Sequence, residues 1–395
     1  LFHMTGGKQL LKTEALFEKM AHWALSVRAD RLLVERQTGQ YALFHIDNEH
    51  PEVTWTGLWQ QVWYEGYAQP DYIWQSSSAA DDFEPKFSLV PLAFGTLKAA
   101  FYAMLVSIPL SIMGAIYTGY FMMPMMRTWV KPTIEIMGVL PTVILGFLAG
   151  LWLAPLVEAN LVAVFSLLFI VPAGFIIFAL VWQLVPRSLR NRVPAGWEAV
   201  MLMPVLIALV WAVFTAGPHI EMVFLGGNTQ AWLQSTFGID YDQRNALVVG
   251  IAMGVAVIPT IFSISEDAIY SVPRHLTEGS LALGATPWQT LTKVVILTAS
   301  PGIFSAVMIG LGRAIGETMI VLMATGNTPV IDLSVFQGMR TLSANIAVEM
   351  PESEVDSSHY RILFLAALVL FGVTFVFNTV AEMIRQSLRN RYSNL

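Results

Sequence analysis

The sequence predicts an all-α integral membrane protein: a polytopic helical bundle, with a small α+β region outside the bilayer at its N-terminus. Two observations predict this. Of 395 residues, 55% are hydrophobic and only 13% charged, with mean hydropathy +0.59, whereas soluble domains carry about 25% charged residues. From Leu89 onward, apolar stretches alternate with short polar breaks, each near the ~20 residues that a spanning helix needs. The formal charge of −6 argues against a nucleic-acid partner. The chain has no cysteine, which excludes disulfides, thiolate metal sites and cysteine nucleophiles.

Residues 1–88 read as a water-facing region, with seven Lys/Arg against twelve Asp/Glu and scattered aromatics. Leu32 to Arg36 and Tyr41 to Ile46 flank Gly39 and predict a β-hairpin turning at that glycine. Trp55 to Tyr67 reads as a helix lying near the membrane surface. Ser76 to Pro85 is a linker by composition. About 88 residues make a marginal core, so the region is expected to be the tail of a larger domain.

Seven spans are predicted in residues 89–395, the transmembrane domain: roughly 91–120, 138–157, 161–184, 199–217, 246–268, 298–325 and 361–384. The third and fourth contain no charge. Pro141 is expected to tilt or break the second. Lys and Arg favour cytoplasmic loops. They follow the first span (Arg127, Lys131), the third (Arg187, Arg190, Arg192), the fifth (Arg274, Lys293) and the seventh (Arg385, Arg389, Arg391). The intervening loops are acidic, at Glu158, at Glu221 with Asp240 and Asp242, and at Glu349 through Asp356. The C-terminus is therefore expected in the cytoplasm and residues 1–88 outside. No export signal precedes that region, so a further span is expected upstream of Leu1.

The loop after the fifth span is longer than a simple connection. Pro273 suits the first turn of a helix, and Leu276, Ser280 and Leu283 recur on one face. Gly284 is placed for a left-handed cap, and Thr286-Pro-Trp-Gln289 reads as a capping box with Pro at the first helical position. This is either an ordinary amphipathic loop or a handle for a cytosolic partner.

The sixth span carries charge. Arg313 lies 12 residues after Pro301, about 18 Å along a helix, which predicts a place near the bilayer midplane. An arginine there costs about 2.5–3.5 kcal/mol unless it faces protein or water. Glu317 falls one turn further on the same helical face. The two form either an internal salt bridge that fixes packing or an anion-handling site. Gly312 and Gly316, continuing the small residues Gly302, Ala306 and Gly310, allow close helix approach, within this chain or against another. Lys98, near the outer end of the first span, either attracts anions or snorkels to the interface. Glu266 and Asp267 are expected to cap or solvate the end of the fifth span. Glu382 and Arg385 are expected to pair in the last helix.

Glu278-Gly-Ser-x-x-x-Gly284 and its continuation resemble the "EAA" loop of ABC-importer permeases, with Gly-Ser where the pattern has Ala-Ala. Leu311-Gly-Arg-Ala-Ile-Gly-Glu-Thr318, Gly326-Asn327 and Gly284-Ala-Thr-x-Trp-Gln-Thr290 are similar to the phosphate-importer permeases, in the PstC-type rather than the PstA-type form. Lys131-Pro-Thr-Ile-Glu135 and Leu140-Pro-Thr-Val-Ile-Leu-Gly146 resemble the same family's second core span. The resemblance covers about 89–157 and 246–385; the helical pair at about 160–217 has no counterpart in it. It implies an inner-membrane transport subunit rather than an enzyme, and a coupling loop (Glu278, Gly284, Thr286, Trp288) docked on a cytoplasmic ABC ATPase dimer. It also implies a second homologous permease of PstA type and an extracytoplasmic phosphate-binding protein, within membrane lipid.

No cofactor is expected on this chain. It contains no Gly-x-x-x-x-Gly-Lys-[Ser/Thr] phosphate loop, so ATP-Mg belongs to the partner ATPase. Phosphate near neutral pH carries a proton and sulfate does not. Arg313 offers a fork of donors for the oxyanion, and Glu317 is expected to accept the P–O–H hydrogen bond. Two rival readings remain: an ion-coupled secondary anion transporter built on the same pair, and a membrane sensor whose outer region reports through the helices.

Overall fold

The computed structural model describes residues 2–3, 8–9, 20–26, 30–46, 50, 52–78, 84–186 and 198–392. Arg187, Arg190, Arg192 and the middle of the 76–85 linker lie outside the described residues. Two compact units emerge: Leu1–Leu92 with Glu349–Ala366, and Ala93–Val348 with Ala367–Leu395.

In the first unit, β1 (Met20–Leu25), β2 (Arg31–Arg36) and β3 (Tyr41–His45) form an antiparallel sheet. The predicted hairpin is β2–β3, and Gly39 turns it at φ +77°, a conformation a side chain would oppose. The helix expected over 55–67 is only one turn long. α1 (Trp55–Trp59) is capped by Thr54 Oγ1, which accepts from the Gly57 N–H at 3.0 Å, and the chain then extends so that Val62 bridges Asp71. Residues beyond the predicted boundary at 88 complete this unit. Trp74 Nε1 donates to Glu349 Oε1 at 3.0 Å, and Glu349 Oε2 lies 2.7 Å from His359 Nε2.

Among the described residues, seven helices are long and apolar enough to cross a membrane. They are α2 (Val90–Phe121), α4 (Thr142–Ala159), α5 (Leu161–Leu184), α6 (Glu198–Phe224), α8 (Ala246–Tyr270), α10 (Pro287–Gly316) and α13 (Ser358–Tyr392). Shorter helices join them: α3 (Pro124–Met137), α7 (Thr229–Phe237), α9 (Arg274–Ala282), α11 (Met319–Ala324) and α12 (Leu342–Glu349). Pro141 does not break the second span. It N-caps α4, which begins at Thr142, as suits a residue with no N–H to give.

The core of the second unit is α8. Its apolar window is 56% buried, against 11% for α6, so α8 is enclosed by protein while α6 leaves most of its apolar surface for lipid. Met253, Val257 and Ile261 of α8 pack with Ala99 and Ala103 of α2 and with Ala306, Ala314 and Ile315 of α10. The uncharged helix α5 packs against α6.

Candidate functional site: a capped hairpin and a broken charged helix

The hairpin after α8 folds as its caps dictate. Pro273 takes the N-cap position and α9 starts at Arg274. Gly284 reverses the chain at φ +88°. Thr286 Oγ1 accepts from the Gln289 N–H at 3.2 Å, and Gln289 Oε1 accepts from the Thr286 N–H at 2.9 Å, which is the predicted capping box. A 3.0 Å contact between the Ser280 and Thr290 hydroxyls ties the two arms together. One expectation fails. Leu283 does not join Leu276 and Ser280 on the packed face, because α9 ends at Ala282 and Leu283 is left 91% exposed. Trp288 is 65% exposed and Glu278 is also exposed. Two large apolar side chains thus stand at the tip of a rigid hairpin.

The junction above the hairpin is held by charges whose role the sequence did not reveal. Glu266 neither caps nor faces solvent; it is fully buried. Arg127 of α3 donates to both of its oxygens, Nε to Oε1 at 2.5 Å and Nη2 to Oε2 at 3.0 Å, and Lys131 Nζ lies 3.0 Å from Oε2. Lys131 also donates to Asp267. The hydrogen bond to Glu266 holds the Arg127 guanidinium above its ordinary pKa. Burial lowers that of Lys131, but its bonds to Asp267 and Glu266 outweigh burial and leave it raised. Nearby, Tyr120 donates to the Pro287 carbonyl at 3.3 Å. The end of α2, α3 and the end of α8 are therefore clamped at the foot of the hairpin.

Arg313 lies near the end of α10, half-buried, and its Nη1 donates to Thr260 Oγ1 of α8 at 2.8 Å. Glu317 does not continue the same helical face. α10 ends at Gly316, and Glu317 is extended at φ −69°, ψ 126°. Among the described residues, Arg313 and Glu317 form no ion pair, and no carboxylate lies within ion-pair distance of Arg313. An unwound turn in a membrane must satisfy its backbone groups. The Ser343 hydroxyl donates to the Glu317 carbonyl at 3.0 Å, and Glu317 Oε1 takes a long 3.5 Å contact from the Ile320 N–H.

The small residues of α10 divide into two sets. A Cβ at Gly302 would meet Ala268 at 2.4 Å, and one at Gly310 would meet Ile261 at 2.5 Å; these positions seat α10 on α8. A Cβ at Gly312 would meet only Asn378 Oδ1, at 3.1 Å, and one at Gly316 would meet nothing within 4 Å. Close backbone approaches also occur at Gly146 and Gly150 of α4. Cβ atoms there would stand 2.7 Å from Met319 O and 2.4 Å from Met323 O of α11.

Residues 107–392 match the family described as the binding-protein-dependent transport system inner membrane component. The match takes in the hairpin, the clamp and the broken helix. The chain belongs to this family. Within it, the chain is 32% identical over 242 residues to the phosphate transport system permease protein PstC of Mesorhizobium japonicum, covering 58% of this chain and 72% of that one. It is 35% identical over 187 residues to the probable ABC transporter permease protein YqgH of Bacillus subtilis, covering 47% and 59%. The chain thus spans under two thirds of the length of YqgH. The PstC protein of Xylella fastidiosa is 29% identical over 247 residues, 61% of this chain and 76% of that one. As a transport component of this family, the chain is a multi-pass membrane protein.

Proposed function

We propose that this chain is the permease subunit of an ATP-driven importer of inorganic phosphate. The observation that carries the reading is Arg313, a half-buried guanidinium with a hydroxyl partner and, among the described residues, no carboxylate, placed beside a helix break that carries Glu317. Such a fork has donors left for an oxyanion. Glu317 accepts a hydrogen bond from the P–O–H of monohydrogen phosphate, and sulfate, which has no such donor, is repelled. The PstC-named relatives support phosphate as the substrate.

The remaining parts follow from this role. Residues 1–88 face outward and the C-terminus inward, which puts the hairpin in the cytoplasm. Leu283 and Trp288 enter a groove of the ATPase dimer, with Glu278, Gly284 and Thr286 shaping the contact. Gly312 and Gly316 lie against the second, PstA-type permease. An outer phosphate-binding protein delivers the substrate. ATP-driven closure pulls on the hairpin, and the Arg127–Glu266 clamp carries that movement to α3 and α8.

Vesicles holding the assembled complex test the proposal. Labelled phosphate should enter only with binding protein and ATP, and a protonophore should leave uptake unchanged. Uptake that follows an ion gradient without ATP would instead establish a secondary transporter.

A further inference from the structure

Lys98 lies in the spanning segment Val90–Phe121 and is 3% exposed, about 12 Å along the helix from its start. Its side chain is enclosed by protein rather than exposed. Lysine is almost never buried without a carboxylate partner, yet among the described residues none lies within ion-pair distance of it. Its hydrogen bond goes to a backbone carbonyl, that of Gln337, at 3.3 Å. Asp332 and Asp242 act on it from further away, and both are engaged locally. Asp332 Oδ1 accepts from the Ser334 N–H at 2.7 Å, and Asp242 Oδ2 from the Gly338 N–H at 3.2 Å. An ammonium has three donors, so Lys98 keeps capacity for an anion.

The segment between α11 and α12 is strapped over this lysine. Tyr102 donates to the Leu333 carbonyl at 2.6 Å, and Thr96 Oγ1 accepts from the Leu342 N–H at 3.0 Å. The Arg340 carbonyl lies so close to Gly95 that a Cβ there would be 2.2 Å away.

We propose that Lys98 is a second oxyanion site on the transport path, an outer relay that meets phosphate before Arg313 does. The inference rests on the permease reading above. A compact ammonium attracts any oxyanion without matching its shape, which leaves discrimination to Arg313 and Glu317. The site opens when the strap lifts and the Lys98–Gln337 bond parts. If Lys98 only fastened the strap, a neutral donor would serve equally well.

That difference supplies the test, in the assembled transporter with its ATPase, second permease and binding protein. Lys98→Gln keeps a donor for Gln337 and should cut phosphate uptake roughly tenfold, the scale of one charge-assisted hydrogen bond. Lys98→Arg should stay within about twofold on the same scale. Because this chain has no cysteine, Lys98→Cys gives it a single thiol, and the complex with native chain, treated with the same reagents, is the control. A 2-aminoethyl methanethiosulfonate, which installs an ammonium, should restore uptake, and a sulfonated analogue should not. Uptake by Lys98→Gln equal to native, or restoration by both reagents alike, overturns the relay. If native protein shows no ATP-driven phosphate uptake, the permease reading fails instead.

Discussion

Arg127 holds both carboxylate oxygens of the fully buried Glu266, at 2.5 and 3.0 Å, while its guanidinium carbon lies 3.5 Å from the centre of the Tyr270 ring. The contact joins α3 to the end of α8, whose last residue, Tyr270, lies four residues before the hairpin helix α9 begins. Breaking a buried pair from one side costs about 3–5 kcal/mol. Lys131 remains beside Glu266 when Arg127 is removed, so Arg127→Ala should cost about 3 kcal/mol, the lower end of that range. Unfolding in detergent measures this, and the combined exchange Arg127→Glu with Glu266→Arg should recover part of the loss. An unchanged melt in Arg127→Ala would show that the pair does not hold the helices together.

The hairpin tip should behave in the opposite way. Leu283 and Trp288 are 91% and 65% exposed, so alanine at either should change stability by less than about 0.5 kcal/mol. An aromatic anchor at the centre of an interface is worth about 2 kcal/mol or more. Trp288→Ala should therefore weaken co-purification of the ATPase by roughly tenfold or more while melting is unchanged. Full retention of the ATPase by the double variant Leu283→Ala, Trp288→Ala would remove the handle.

Two glycines of equal size should respond differently to a methyl group. Gly150→Ala forces a Cβ against Met323 O and should destabilise the fold by about 1–3 kcal/mol, the range for overpacking. Gly316→Ala meets nothing within 4 Å among the described residues and should leave the melt alone. It should still loosen the second permease, as read from the yield of intact complex. A Gly316 variant that assembles normally would place the partner elsewhere.

Much of this was legible because it is local. The capping box at Thr286 to Gln289, the turn at Gly39 and the pair Glu382–Arg385 depend on residues three or four apart, and the last two meet at 2.7 Å as expected. Span limits were legible where polar residues bracket an apolar run, as at Leu161–Leu184. The sixth span was harder. The helix begins at Pro287, where the capping box predicts a start, but it runs unbroken into the span and stops at Gly316 inside an apolar stretch. Composition does not report such a break; here tertiary contacts, Ser343 to the Glu317 carbonyl among them, satisfy the unwound turn. The Arg127–Glu266 clamp and the buried Lys98 were illegible for a related reason, since each partner lies more than a hundred residues away. Helical spacing placed Glu317 one turn above Arg313, and the break removes that geometry while leaving both residues at the same corner of the fold.

The central claim is that Arg313 and Glu317 select and pass a protonated oxyanion. It is tested most directly by ATP-driven uptake of labelled phosphate and sulfate in vesicles, comparing native protein with Arg313→Ala and Glu317→Gln. Arg313→Ala should lose phosphate uptake, and Glu317→Gln should pass less phosphate while no longer excluding sulfate. Native phosphate uptake by Arg313→Ala, or unchanged exclusion of sulfate by a fully active Glu317→Gln, would contradict it.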